Sequence, residues 1–143
     1  MSCFSLPKTL LSSHITLGNE KCLKLLHVVC KTEERCDRPL KYQYLEHAER
    51  TAIYRACKSG LKIEGNAIMY SPYNPCVDCA RAIISVGIEK VYCLKYLRDA
   101  TPPRWEESVR MAESMLIESG VSVTYIDAKL GVQMLYDGKL IDI

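Results

Sequence analysis

Three stretches of the chain carry a helical rhythm of apolar positions, and each stops at a glycine. Ala48, Ala52 and Ala56 recur every fourth residue between His47 and Ser59, just ahead of Gly60. That spacing predicts a helix with a narrow small-residue stripe suited to close packing. Ala80, Ile83, Ile84 and Val86 crowd the stretch from Cys76 to Val86, ahead of Gly87, which predicts a short, largely apolar helix near the centre of the fold. Trp105, Val109, Ala112 and Leu116 share one face between Pro102 and Ser119, ahead of Gly120. Thr101-Pro102-Pro103 is the entry to this third helix, and Trp105 reads as core. Strand patterns run over Leu23 to Cys30, Asn66 to Ser71, Lys90 to Leu94 and Val121 to Ile126. Helices alternating with strands predict an α/β fold, a sheet layered with helices. Gln43-Tyr44-Leu45 reads as extended chain before the first helix. Beyond Asp127, Val132 to Tyr136 and Lys139 to Ile143 flank Asp137-Gly138, the pattern of a hairpin with a tight turn. Such a hairpin would extend the sheet or an oligomer interface.

Composition narrows the class. The chain has 143 residues, of which 48% are apolar, enough for one core. No repeat or linker divides it, so residues 1–143 read as a single domain with a C-terminal extension over residues 127–143. No apolar run reaches the length of a membrane span. Met1 to Leu11 carries one lysine and Pro7, which makes a poor signal peptide, so a cytoplasmic location is expected. The eight cysteines then read as reduced thiols rather than a disulfide framework. A net charge of +2 leaves no footprint for a long nucleic acid and favours a small-molecule partner.

The chemistry is concentrated in two short segments, His47-Ala48-Glu49 and Pro75-Cys76-Val77-Asp78-Cys79. They supply three zinc ligands, His47, Cys76 and Cys79, with no fourth, so the metal keeps a position for water. Glu49 is a carboxylate free to move protons. Cys76 and Cys79 differ by about 60° around a helix and share a face, near an N-terminus whose dipole favours thiolates. His47 and Glu49 differ by about 200° on an ideal helix, so they converge only from a first turn, which is where the pattern places them. Each half alone is ambiguous among metal, redox and surface roles. Together, at successive helix starts, they match the zinc deaminase signature, in which the glutamate moves protons during attack by zinc-activated water.

Around these segments the chain resembles the cytidine and deoxycytidylate deaminase superfamily, and most of all its deoxycytidylate branch. The resemblance runs through Lys41-Tyr42-Gln43-Tyr44-Leu45-Glu46-His47-Ala48-Glu49-Arg50, Glu64-Gly65-Asn66-Ala67-Ile68-Met69-Tyr70, Pro75-Cys76-Val77-Asp78-Cys79-Ala80-Arg81 and Gly87-Ile88-Glu89-Lys90-Val91. It also takes in the Arg104-Trp105 helix that ends at Gly120-Val121. It implies a three-layer fold with a mixed sheet of about five strands, and one catalytic Zn2+. It further implies a homo-oligomer, often a hexamer, with regulation by nucleoside triphosphates in some members, and hydrolysis of deoxycytidylate to deoxyuridylate and ammonia. The chain departs from the family in three places. Residues 1–40 are atypical, with no Gly-x-Asn-Gly segment for the sugar; Thr51 stands where asparagine is usual; and Pro72-Tyr73-Asn74 replaces a Thr-Leu-Ser type of stretch.

Tyr44, Ser71, Tyr73 and Asn74 flank the metal motif and are candidates to line the substrate pocket, by stacking on a base or reading its edge. Arg50, Arg81 and Lys41 are weaker candidates for a phosphate. Cys22, His27, Cys30 and Cys36 offer a second zinc site only as the weaker reading, because their spacings match no compact finger; small buried thiols are expected there, and Cys57 and Cys93 are expected to pack. Three function classes stay open: a pyrimidine deaminase acting on a small molecule, a deaminase of transfer RNA or single strands, and a non-catalytic zinc module.

Overall fold

The structure, a computed structural model, describes residue 39 and residues 41–44, 46–63, 67–136 and 139–143. The strand expected over Leu23 to Cys30 and the leftover group Cys22, His27, Cys30 and Cys36 lie outside the described residues. In chain order the elements are α1 (Lys41–Tyr44), α2 (Ala48–Lys58), β1 (Ile68–Tyr70), α3 (Val77–Ser85) and β2 (Lys90–Leu94). They continue with α4 (Lys95–Asp99), α5 (Pro103–Glu118), β3 (Ser122–Ile126), β4 (Gln133–Tyr136) and β5 (Lys139–Asp142). The three patterned helices are α2, α3 and α5. Gln43 and Tyr44, expected with Leu45 as extended chain, lie instead in the one helical turn of α1.

Helices α2, α3 and α5 all end in the same way. At α5, Gly120 takes φ +78°, a conformation that costs glycine nothing and penalises a side chain. The Gly120 amide donates to Ile117 and the Val121 amide to Leu116, so the last carbonyls of the helix are satisfied and Val121 folds back onto Leu116 in the core. The same pair of bonds recurs at Gly60–Leu61 and Gly87–Ile88. After Gly87 and Gly120 the next residue, Ile88 or Val121, is buried in the core, whereas Leu61 after Gly60 is exposed.

Strands β1, β2 and β3 form a parallel sheet in that order. Met69, Val91 and Val123 lie in register across it, as do Cys93 and Tyr125. These residues face Ala52, Ile53, Ala80, Ile83, Ala112 and Leu116 of the three long helices, and together they make the main core. The opposite sheet face carries Tyr70, which is 46% exposed and stacks on Tyr92 at 5.1 Å. Among the described residues the main sheet thus has three parallel strands, fewer than the mixed five expected.

The hairpin neither joins that sheet nor extends it. Among the described residues β4 pairs only with β5, antiparallel, with Gln133 opposite Asp142 and Tyr136 opposite Lys139. It docks through a second apolar cluster in which Leu94, Leu97 and Ile143 are buried and Tyr73, Val132, Tyr136 and Ile141 pack around them. An isolated two-stranded hairpin is marginal in water, so this docking is what holds it. Among the described residues no helix is long and apolar enough to cross a membrane.

Candidate active site

In a parallel sheet the open crevice lies beyond the carboxyl ends of the strands, and the deaminase-type motifs collect there. β1 leads directly into Ser71 through Cys76, and its ladder continues one step further, because the Ser71 amide donates to Tyr92 and the Leu94 amide to Pro72. The same end of the fold receives the starts of α2 and α3. His47 is the residue before α2 and Cys76 the residue before α3, both in extended conformation (ψ 148° and 174°). Serine, aspartate or asparagine at such a position ordinarily stabilises a helix by about 0.5–2 kcal/mol. Neither His47 nor Cys76 makes a side-chain cap, because both side chains turn toward each other. The Val77 amide at the start of α3 is instead met by the Ser108 hydroxyl from α5, at 3.2 Å.

His47 Nδ1 lies 3.4 Å from Cys76 Sγ and 3.5 Å from Cys79 Sγ. The three ligand atoms all fall within 4.8 Å of one another. Tetrahedral zinc with ordinary Zn–N and Zn–S bonds separates a nitrogen from a sulfur by about 3.6 Å, so this donor set fits one Zn2+. It is the one such group among the described residues.

Electrostatics agrees with that donor set. The Cys79 thiol donates to Cys76 and His47 adds a second hydrogen bond, which together outweigh burial and hold the Cys76 thiol well below its ordinary value. Cys79 moves strongly the other way because it shares a single proton with Cys76 in a buried site. The hydrogen bond to Cys76 raises His47 despite burial. Metal binding displaces the protons that the ligands still carry.

Glu49 is the second residue of α2 and only 7% exposed. Burial pushes its carboxyl above the usual range, more than His47 and Ser71 pull it down. The Ser71 hydroxyl donates to Oε1 at 3.2 Å, and the Cys79 thiol lies 3.6 Å from Oε2. A first-turn position lets His47 and Glu49 point past the helix end to one place despite their spacing.

A cavity of about 310 Å³ opens onto these groups. Ser71, Tyr73 and Asn74 line it as expected from their place in the sequence, and Tyr44 does not: it is 44% exposed on α1. Arg50 pairs with Glu46 and lies 3.8 Å from Asp78, and Arg81 pairs with Asp78. Neither lines the cavity, and the side chain of Lys41 is outside the description. The cation on the wall is Arg104, in the first turn of α5. Beside it Trp105, expected as core, also lines the cavity, with its ring edge-on to His47 at 6.3 Å. The Pro102-Pro103 entry was the signal for both, since it fixes the helix start whose first turn faces the crevice. Cys57, expected to pack, is exposed, whereas Cys93 is buried with its thiol 3.3 Å from the Tyr73 carbonyl.

A polar network braces the loop before Cys76. Asn74 Nδ2 donates to Glu113 Oε1 at 3.1 Å and to the Tyr125 hydroxyl at 3.0 Å. Its buried Oδ1 has no partner among the described residues. The Tyr125 hydroxyl donates to Glu113, and Arg98 forks onto both Glu113 and Glu106 at 2.7–3.1 Å. Burial raises the Glu113 carboxyl, but Arg98, Tyr125 and Asn74 together outweigh it and hold the group below its usual value. A carboxylate with a depressed folded pKa stabilises the fold above its unfolded pKa, about 4.3, and loses that contribution as pH falls through the folded value. Glu113→Gln should therefore be less stable at neutral pH and lose less stability on acidification. Urea midpoints between pH 7 and pH 3 measure this, and parallel curves for the two proteins would contradict it.

Residues 24–95, about half the chain, match the profile of the cytidine and deoxycytidylate deaminase zinc-binding region. An uncharacterized deaminase from the luxG 3′ region of Aliivibrio fischeri is 35% identical over 100 residues, covering 70% of this chain and 65% of the relative. The deoxycytidylate deaminase of Enterobacteria phage T2 is 48% identical over 67 residues, 46% of this chain and 34% of that one. ComE operon protein 2 of Bacillus subtilis is 33% identical over 82 residues, 57% of this chain and 38% of that one. The chain spans between a third and two thirds of the length of these curated relatives. A solved dCMP deaminase from the cyanophage S-TIM5 aligns with a TM-score of 0.49 at 21% identity, covering 80% of this chain and 79% of that one.

Proposed function

We propose that this chain, which belongs to the cytidine and deoxycytidylate deaminase zinc-binding family, is a hydrolytic deaminase that converts deoxycytidylate and water to deoxyuridylate and ammonia. The observation that carries the reading is Glu49, a carboxylate buried beside a three-ligand metal site and oriented by a serine. A purely structural zinc site closes its shell with a fourth protein ligand and has no use for a buried acid beside it.

His47, Cys76 and Cys79 would hold Zn2+, which would supply Lewis acidity enough to bring the pKa of water toward about 7. Glu49 takes one proton of the attacking water and gives it to the ring nitrogen, then carries the second, from the newly added hydroxyl, to the amine, which leaves as ammonia as the carbonyl forms. Its raised pKa suits a group that must hold a proton between those two transfers. Ser71 holds Oε1, so Oε2, on the Cys79 side, is the oxygen placed to exchange protons. Tyr73 and Trp105 offer aromatic surface to a flat base. Arg104 offers the planar, permanently charged donor that a phosphate favours.

The test is ammonia release by the zinc-loaded protein from a panel of cytosine, cytidine, deoxycytidine, their monophosphates and transfer RNA. The highest kcat/KM should fall on deoxycytidylate. Turnover confined to transfer RNA or to a free base would overturn the substrate, and silence across the panel would overturn the deaminase reading.

A further inference from the structure

The β4–β5 hairpin lies outside the three-stranded sheet and beyond the residues that match the family profile, yet it delivers a side chain to the cavity. Tyr136, the last residue of β4, is on the cavity wall. Its ring stacks on Tyr73 with centroids 5.3 Å apart and planes 17° apart, and its hydroxyl donates to the Ala100 carbonyl at 2.9 Å. Ala100 begins the turn from which Thr101, Pro102, Arg104 and Trp105 reach the same cavity. Tyr136 therefore bridges the loop after β1 and the turn before α5, on the rim.

The chemistry of a cytosine ring says what meets that rim. The reacting amine and the glycosidic bond sit at opposite ends of the ring. A base with its amine at Glu49 directs its sugar away from the metal ligands. Tyr73 lines the same cavity as Glu49 and lies three residues before Cys76 in the loop that carries that ligand. Tyr136 stands one stacked ring from Tyr73.

We propose that Tyr136 is a specificity-determining residue: stacked on Tyr73, which meets the base, it continues that wall outward to the sugar of the bound nucleotide, held in place by the docked hairpin. This rests on the reading of the cavity as a nucleotide site. The wall is a separate part of the chain from the metal motif, so it moves recognition without moving the chemistry.

Three full-length variants test the assignment. Tyr136→Ala should raise KM for deoxycytidylate about tenfold with kcat within about twofold, the pattern of lost uniform binding. Tyr136→Phe keeps the ring and should stay within about threefold of the parent KM. Ile141→Ala loosens the hairpin without touching the cavity and should raise KM by a smaller factor than Tyr136→Ala. A KM within twofold of the parent for Tyr136→Ala overturns the proposal, and so does a loss of bound zinc together with kcat. If the parent protein proves inert, calorimetric titration with deoxycytidylate separates the two readings. Binding weakened about tenfold by Tyr136→Ala upholds the wall although the reaction assignment fails. Equal binding by parent and variant, or none by the parent, overturns it.

Discussion

Glu49→Ala is expected to keep its zinc and lose turnover by about 10²–10⁴-fold or more, the usual worth of a positioned acid–base group. The three ligand atoms come from other side chains, so zinc content measured on the purified variant should match the parent. Glu49→Gln is the sharper control. It keeps the shape and can still accept the Ser71 hydroxyl bond, but it cannot carry a proton. It should be as inactive as the alanine variant. Both variants should be at least as stable as the parent, because a carboxyl whose pKa is raised by burial is a cost to the folded state that function retains. A glutamine variant with substantial ammonia release would sink the proton-transfer role.

Removal of the metal should have the next largest effect. A chelator is expected to abolish ammonia release and to lower the melting temperature, since an ion bound only by the folded state stabilises it by mass action. Added Zn2+ should restore both. The ligands sit at the starts of α2 and α3, so the loss is expected to loosen the contact between these helices first. Zinc uptake should release protons and weaken as pH falls, because Cys79 and His47 hold theirs more tightly than free side chains do. A pH-indicator titration measures the release. Cys79→Ala should lose zinc and activity together, and a variant that kept both would show that the metal sits elsewhere.

The brace behind Cys76 gives these predictions a common setting. Arg98 is clamped between two carboxylates of α5, and Glu113 passes that order to Asn74 through one shared oxygen. Bidentate arginine–carboxylate pairs with one partly buried partner hold geometry better than exposed pairs do. The loop that carries Asn74, Pro75 and Cys76 is thus tied to the longest helix of the fold as well as to the sheet.

Local features were legible without coordinates. The helix stops at Gly60, Gly87 and Gly120 needed only periodicity and a residue that tolerates positive φ. The metal cluster needed only the position of two short motifs at helix starts. α4, at five residues, is too short to show a period. The exposure of Cys57 depends on which side of α2 the sheet covers, and the helical turn at Tyr44 on how the chain enters α2. The apolar alternation that correctly marked the hairpin strands carried no address, and they dock on Leu94, Leu97 and Tyr73 rather than on the sheet edge.

What the sequence determined by itself is the two halves of the metal-ligating group, His47 with Glu49 and Cys76 with Cys79, each placed by rules that act within a few residues of a helix start; the packing of α2 against α3 then brings His47 to Cys76 across 29 residues. What only the tertiary structure decided is that meeting and everything around it. Ser71 reaches Glu49 across 22 residues, and Asn74 finds Glu113 across 39 and Tyr125 across 51. Trp105, Arg104 and Tyr136 join the cavity from elements that no local rule places beside it. Such contacts form only after distant elements have closed on a shared core, and the energy of that closure is spread over many apolar residues rather than written in any one motif.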